Sequence, residues 1–309
     1  MKSLKGNKIL IGPSSFAAMN HAPMNRLIES GCTVIDNPYK RKLTKNELIE
    51  LLSDGVTGLI AGLEPLDRDV LEKSSIKVIS RCGSGMSNVD LEAATELGIK
   101  VYSTPDAPVN AVAELTLGAM LSLLRMIPQM NSDLHEGKWT KKVGLQLTDK
   151  TVAIIGFGRI GRRLARMLVP FKVRVLAVDP NLQGVVDNIH VVPLEEALPQ
   201  ADIITIHSVG EQCLIHNDQF ALMRPGTFLL NAARGGMVDE DALISAIEKG
   251  TIAGAWIDTF EEEPYTGPLT SYPQVILTPH VGSYTLECRR QMETEAAENL
   301  IAGLREDWT

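Results

Sequence analysis

Three side chains suited to proton and anion chemistry stand just past apolar runs late in the chain: Arg234 after FLLNAA, Glu263 in DTFEEEP and His280 after VILTP. Arginine offers a planar fork of donors to a carboxylate and a neighbouring carbonyl oxygen, where lysine offers a point charge. Histidine is the side chain whose ordinary pKa lies nearest neutrality, and a carboxylate beside it fixes its tautomer and favours the protonated ring. Such a set suits exchange of a hydride and a proton with a 2-hydroxy acid. Each member also has a plainer reading. Arg234 precedes Gly235 and Gly236 and would cap a turn, Glu263 ends a glutamate run of the kind that faces solvent, and His280 would satisfy a loop carbonyl.

Further upstream the segment Thr151 to Asp179, TVAIIGFGRIGRRLARMLVPFKVRVLAVD, reads as strand, glycine turn, helix and second strand ending on an acid. Gly156 permits the tight turn, Gly158 lets backbone approach a pyrophosphate and Gly161 lets the helix pack on the strand, with the anion at the helix N-terminus. Asp179 is placed to accept hydrogen bonds from a ribose diol and to repel a 2'-phosphate, which favours NAD over NADP.

These residues need strand ends to hold them. Strand candidates in the first hundred residues are Lys8 to Ile11, Cys32 to Ile35, Gly58 to Ala61, Val78 to Arg81 and Lys100 to Tyr102, a βαβ series without a GxGxxG turn. A second series runs through Thr151 to Ile155, Arg174 to Asp179, Ile189 to Val192, Ile203 to His207, Thr227 to Asn231, Ile252 to Ile257 and Val275 to Thr278, with a helix at Asp239 to Lys249. In an open α/β sheet ligands bind beyond the carboxyl ends of the strands, where Arg234, Glu263 and His280 all fall. Asn110 to about Met130 reads as one long apolar helix, buried at a domain junction or at a subunit interface. The segment from Tyr284 to Leu304 is amphipathic and is expected to fold back on the N-terminal unit.

The expected fold is thus α/β, with two Rossmann-like doubly wound parallel-sheet domains and a cleft between them. A flavodoxin-like substrate domain takes residues 1–103 and 285–309, and a dinucleotide-binding domain takes 104–284. A length of 309 residues accommodates both. The net charge of -8, with no long basic tract, disfavours nucleic acid as a partner. Cys32, Cys82, Cys213 and Cys288 lack metal-ligand spacing and read as small core hydrophobes, so no metal is expected. No signal-peptide core and no membrane-length apolar run is present, and the chain reads as soluble and cytoplasmic.

After the strand at Val78, the turn CGSGMSN from Cys82 to Asn88 offers successive backbone N–H groups as an anion nest for a substrate carboxylate. It reads equally as a strand-to-helix turn with Ser87 or Asn88 as the helix cap.

Along essentially its whole length the chain resembles the D-isomer-specific 2-hydroxyacid dehydrogenases, which include D-3-phosphoglycerate, hydroxypyruvate/glyoxylate and D-lactate dehydrogenases. The resemblance rests on CGSGMSNVDLEAA, VGLQLTDKTVAIIGFGRIGRRLA, LMRPGTFLLNAARGGMVDEDAL and GAWIDTFEEEPY followed by LTPHVG. It implies that Arg234 binds substrate, that Glu263 partners the histidine and that His280 is the general acid/base. Ser84 and Gly85 would bind the substrate carboxylate through backbone N–H groups. Arg159 and Ile160 would face the pyrophosphate with their backbone, Asp258 would lie near the nicotinamide amide, and His207 counts among the cofactor-binding residues. The resemblance further implies a catalytic domain made from both chain ends, a homodimer built around the helix from Asn110, and hydride transfer to the face of C2 that yields the D alcohol.

Departures are informative. HSVGEQCLI from His207 to Ile215 replaces a longer loop containing proline and threonine, which leaves contacts on the nicotinamide side open. Some family members add a C-terminal regulatory domain, and a chain ending at Thr309 is read as lacking one. At the strand end after Leu59 and Ile60, where relatives acting on phosphorylated acids carry a basic group, this chain has Ala61, Gly62, Leu63 and Glu64. A phosphate beside Glu64 would need compensation from Arg81, Lys40, Arg41 or a partner subunit. The leading substrate reading is 3-phosphoglycerate and its 2-oxo acid, with hydroxypyruvate or glyoxylate as the alternative. Formate- or phosphite-type dehydrogenases and NAD-sensing corepressor-like proteins are the rival functions.

Overall fold

The computed structural model describes residues 4–210 and 212–306. They form two compact units, one from the chain up to Pro108 together with the segment from Tyr284 onward, the other from Val109 to Ser283. The first division lies beyond the expected 103/104 boundary because residues 104–107 belong to the first unit. Thr104 exchanges hydrogen bonds with Gly83, and Ala107 is part of that unit's apolar core.

The first unit is a five-stranded parallel sheet of β1 (Lys8–Ile11), β2 (Thr33–Ile35), β3 (Val56–Ala61), β4 (Val78–Arg81) and β5 (Lys100–Ser103), ordered β2-β1-β3-β4-β5. This is the flavodoxin-like order, whose switch point lies between β1 and β3. Between the strands run α1 (Ala22–Glu29), α2 (Lys45–Leu52), α3 (Arg68–Glu72) and α4 (Leu91–Glu96). Their starts follow from local chemistry: Thr44 and Glu47 form a capping box on α2, while Asp67 and Asp90 cap α3 and α4. The period of two is plain in β1, where Ile9 and Ile11 join one apolar layer and Leu10 joins the layer on the opposite face.

The boundary falls at the first residue of α5 (Pro108–Leu124), and the second unit takes the rest of that helix and α6 (Ile127–His135). The single helix expected from Asn110 to Met130 is therefore two, bent by 65°. Pro128 has no N–H to bond the carbonyl of Leu124, which instead accepts from Leu145 N at 2.8 Å, and Met126 turns the chain with φ 51°. Burial of α5 is one-sided: Ala113, Ala119, Met120, Leu123 and Leu124 enter the core, while Asn110, Glu114 and Gly118 are exposed. Among the described residues no single helix is long and apolar enough to cross a membrane.

Its sheet holds β6 (Thr151–Ile155), β7 (Arg174–Val178), β8 (Val185–Val186), β9 (Ile189–Val191), β10 (Ile203–Ile206), β11 (Thr227–Asn231), β12 (Ile252–Ile257) and β13 (Val275–Leu277). The order is β13-β12-β11-β10-β6-β7-β9-β8, parallel except for the β8–β9 hairpin. That hairpin strand escaped the sequence reading, although Asp187 and Asn188, both at positive φ, are the residue types such a tight turn selects. The remaining helices are α7 (Arg159–Leu168), α8 (Leu194–Ala197), α9 (Asn217–Leu222) and α10 (Glu240–Glu248, capped by Asp239). The last helix, α11 (Leu286–Arg305), starts at the Thr285 cap and returns to the first unit, burying Met292, Ala296, Leu300 and Leu304 in its core.

Candidate active site

At the switch point of the second sheet, β6 and β10 lie side by side and their connections leave in opposite directions. The glycine turn follows β6, and its three glycines answer to different constraints. Gly156 has φ 91°, and a Cβ there would stand 2.5 Å from Ser208 N; a Cβ on Gly161 would stand 2.4 Å from the carbonyl oxygen of Gly156. A Cβ on Gly158 would meet nothing within 4 Å, so the protein itself does not need that glycine. The space it leaves open lies at the N-terminus of α7, which has no side-chain cap and whose first residues are Arg159 and Ile160. A pyrophosphate fits this cradle of backbone N–H groups and helix dipole. Asp179 follows β7, accepting from Phe157 N at 3.1 Å and Asn181 N at 3.0 Å, which holds its carboxylate beside the same turn.

His207 follows β10. Its backbone packs against Gly156, while its imidazole turns inward, with Nε2 at 2.9 Å from Thr205 Oγ1 and Nδ1 shut off from solvent. Burial pushes its pKa down to about 4, so the ring is neutral near pH 7. It is the His207 backbone, and not its ring, that lies beside the glycine turn.

Arg234, Glu263 and His280 follow β11, β12 and β13, which are adjacent strands. Asn231 braces the first turn, accepting from Ala233 N at 3.0 Å and donating to the Arg234 carbonyl at 2.8 Å. A Cβ on Gly235 would collide with Phe260 and Glu261 backbone at about 2 Å, so the Arg234 turn and the Glu263 loop are in contact. Glu263 accepts from Phe260 N at 3.1 Å and holds His280 Nδ1 with both carboxylate oxygens, at 3.1 and 3.0 Å. The plainer readings therefore yield for two of the three: Glu263 is not a free solvated acid, and the His280 ring bonds a carboxylate. With Nδ1 held, Nε2 is the ring nitrogen not engaged by the carboxylate. Arg234 donates to the Ala233 carbonyl at 2.8 Å, as its turn-stabilising reading expects.

Asp258, expected near a nicotinamide amide, is held by the loop that carries His280. It is 1% exposed. Its Oδ1 accepts from Thr278 Oγ1 at 2.6 Å and Val281 N at 2.9 Å, and its Oδ2 accepts from Gly282 N at 2.9 Å.

In the first unit, the anion turn after β4 is braced from within. Gly83, at φ 142°, donates to Thr104 Oγ1 at 2.8 Å, and the Arg81 guanidinium lies against it, donating to the Cys82 carbonyl at 2.7 Å. The helix cap is Asp90, so the reading of Ser87 or Asn88 as cap is corrected. Asn88 instead donates to the carbonyls of Gly62 at 3.1 Å and Glu64 at 2.7 Å, tying the turn that contains Ser84 and Gly85 to the β3 end. Glu64 is also corrected. Its carboxyl is 1% exposed and folds onto Gly62 N at 2.8 Å, so it does not present an acid to a ligand. Burial pushes its pKa up, against the hydrogen bonds and the charges of Arg81 and Lys42.

Cys32, Cys82 and Cys288 are buried free thiols, with burial pushing Cys82 up to about 12 and Cys288 up to about 11. Among the described residues no group of His, Cys, Asp and Glu could hold a metal. The sequence reading missed Thr278, Thr104 and the brace by Asn88. Thr278 sits two residues before the histidine, in a motif already singled out, and that proximity was the available signal.

This site belongs to a defined class. Residues 117–282 match the model of the D-isomer specific 2-hydroxyacid dehydrogenase NAD binding domain, and the chain is a member of that family. The second unit is accordingly an NAD-binding domain. The chain is 39% identical over 274 residues to D-3-phosphoglycerate dehydrogenase of Methanocaldococcus jannaschii, covering 85% of this chain and 52% of that protein. It thus spans about half the length of the phosphoglycerate dehydrogenases it matches. It is 34% identical to hydroxypyruvate reductase of Thermotoga maritima over 85% of this chain and 89% of that one. A solved glyoxylate reductase from Paecilomyes thermophila superposes with TM-score 0.86 at 28% identity, covering 99% of this chain and 97% of that one.

Proposed function

We propose that this protein is an NAD-dependent oxidoreductase interconverting a D-2-hydroxy acid and its 2-oxo acid. The observation that carries the reading is the two-oxygen hold of Glu263 on His280 Nδ1, on the strand-end side where Arg234 stands. The glycine turn and the N-terminus of α7 would hold NAD, which when bound would supply or accept hydride at nicotinamide C4. Arg234 binds the substrate carboxylate and polarises the 2-oxo group. His280 Nε2 gives its proton to the developing alkoxide in reduction and takes it back in oxidation, while Glu263 keeps the ring in the right tautomer and stabilises its cation.

The substrate class we infer is a small unphosphorylated 2-oxo acid, hydroxypyruvate or glyoxylate. Ala61 pairs in register with Arg81 at the β3–β4 end, and Arg81 is buried there and committed to the Cys82 carbonyl. The β3 end itself contributes Ala61, Gly62 and Leu63, none of them cationic. The second reading, 3-phosphohydroxypyruvate, has the support of the phosphoglycerate dehydrogenase relatives and requires a cation from elsewhere. Values of kcat/KM with NADH for hydroxypyruvate, glyoxylate, pyruvate and 3-phosphohydroxypyruvate decide between them. A preference for the phosphorylated acid overturns the first choice.

A homodimer in the cytoplasm completes the proposal. Its support is the exposed side of α5 and the exposed segment after α6, where Trp139 is 81% and Val143 96% accessible. Sedimentation at micromolar concentration tests it, and a monomer contradicts it.

A further inference from the structure

The geometry points to Thr278 as a positioning residue for His280, acting through Asp258. This assignment rests on the proposal that His280 is the acid/base. His280 has φ 53°, a left-handed conformation that non-glycine residues hold only where their surroundings impose it. The surroundings here centre on one residue, Asp258, with the Thr278 carbonyl as a second acceptor for His280 N at 2.9 Å. Asp258 accepts from the Thr278 hydroxyl, Val281 N and Gly282 N, and its carbonyl accepts from His280 N at 2.8 Å. Donors from both sides of the histidine thus converge on a single buried acid, and the loop curls around it.

Thr278 decides how that acid is held. Its hydroxyl accepts from Trp256 Nε1 at 2.9 Å and donates to Asp258 Oδ1 at 2.6 Å. An indole N–H can only donate and a carboxylate can only accept, so the hydroxyl hydrogen has one orientation and the relay runs one way. Trp256 is fully buried in β12, and Thr278 is tied to the same strand by its own N–H on the Ile257 carbonyl at 3.1 Å. The rigid sheet is therefore linked through Trp256, Thr278 and Asp258 to the loop that presents the imidazole. Removal of the hydroxyl leaves a buried indole N–H without its acceptor and the carboxylate one donor short.

Thr278→Val and Thr278→Ser, each alone and the first also combined with His280→Ala, test the assignment, using hydroxypyruvate and NADH. Thr278→Val should lower kcat by about 10- to 100-fold with NADH affinity and the KM of hydroxypyruvate within about twofold of wild type, because a small misplacement of an acid/base costs rate and not binding. Thr278→Ser should recover most of the loss. In the His280→Ala background the valine substitution should cost nothing further. The imidazole NMR signal of His280, assigned by its absence in His280→Ala, should move in Thr278→Val and return in Thr278→Ser. Wild-type kcat with an unmoved signal in Thr278→Val overturns the assignment, as does a full additional loss in the double variant. The signal needs no substrate, so it still judges the positioning role if the wild-type protein turns over no 2-oxo acid, an outcome that would sink the dehydrogenase reading instead.

Discussion

Glu263 meets His280 Nδ1 with both oxygens of its carboxylate, at 3.1 and 3.0 Å, across two loops that leave neighbouring strands. The contact engages Nδ1, leaves Nε2 as the other ring nitrogen and places a carboxylate beside the ring. His280→Ala should reduce kcat by roughly 10²- to 10⁴-fold with NADH binding nearly unchanged. Glu263→Gln should lose less, because the amide oxygen can still orient the ring while the charge is gone. Fluorescence titration with NADH alongside steady-state rates separates the two effects. Near wild-type turnover in His280→Ala would remove it from the role of acid/base.

Asp179 already spends one hydrogen bond per oxygen on Phe157 N and Asn181 N, and its remaining lone pairs are those we propose for a ribose diol. Asp179→Ala should raise the KM for NADH by about 10- to 100-fold, the worth of hydrogen bonds to a charged group. The KM for NADPH should change less, so that discrimination narrows. Parallel titrations with both coenzymes measure this, and an unchanged preference would mean that the ribose is recognised elsewhere.

Glu64 gives a pH signature in stability. Its pKa in the folded protein lies above the ordinary 4.5, chiefly because burial penalises the charged form. The unfolded chain therefore sheds this proton first as pH rises. The contribution of Glu64 is fully present below about pH 4.5 and is lost as pH rises through the folded value. Glu64→Gln removes that dependence while keeping an acceptor for Gly62 N. Relative to wild type, the variant's Tm should improve steadily from pH 5 upward. A constant difference across that range would show that Glu64 is ionised in the folded state.

Much of this architecture could be read from residue order. Period-two apolar runs gave most strands to within a residue or two, and the GxGxxG turn with its terminal acid announced its own site, because each depends on neighbours in sequence. The break between α5 and α6 was also written locally, in Pro128, but the apolar run of the helix masked it; the partner that makes the break tolerable, Leu145, lies far along the chain. Glu64 was misjudged for a similar reason. Whether an acid points outward or folds back on Gly62 N depends on the space beside Gly12 and Pro13, which adjacent strands create. Asp258 shows the same limit, since its donors come from the end of a different strand.

We propose that this chain exchanges hydride and a proton with a small 2-oxo acid through Arg234, Glu263 and His280. The most direct measurement is the initial rate of NADH oxidation by the purified protein on addition of hydroxypyruvate or glyoxylate, with His280→Ala in parallel. Saturable turnover by the wild type, D-glycerate as the product from hydroxypyruvate and near-abolition in the variant are expected. NADH binding without turnover of any 2-oxo acid, or turnover that His280→Ala leaves intact, would contradict the proposal.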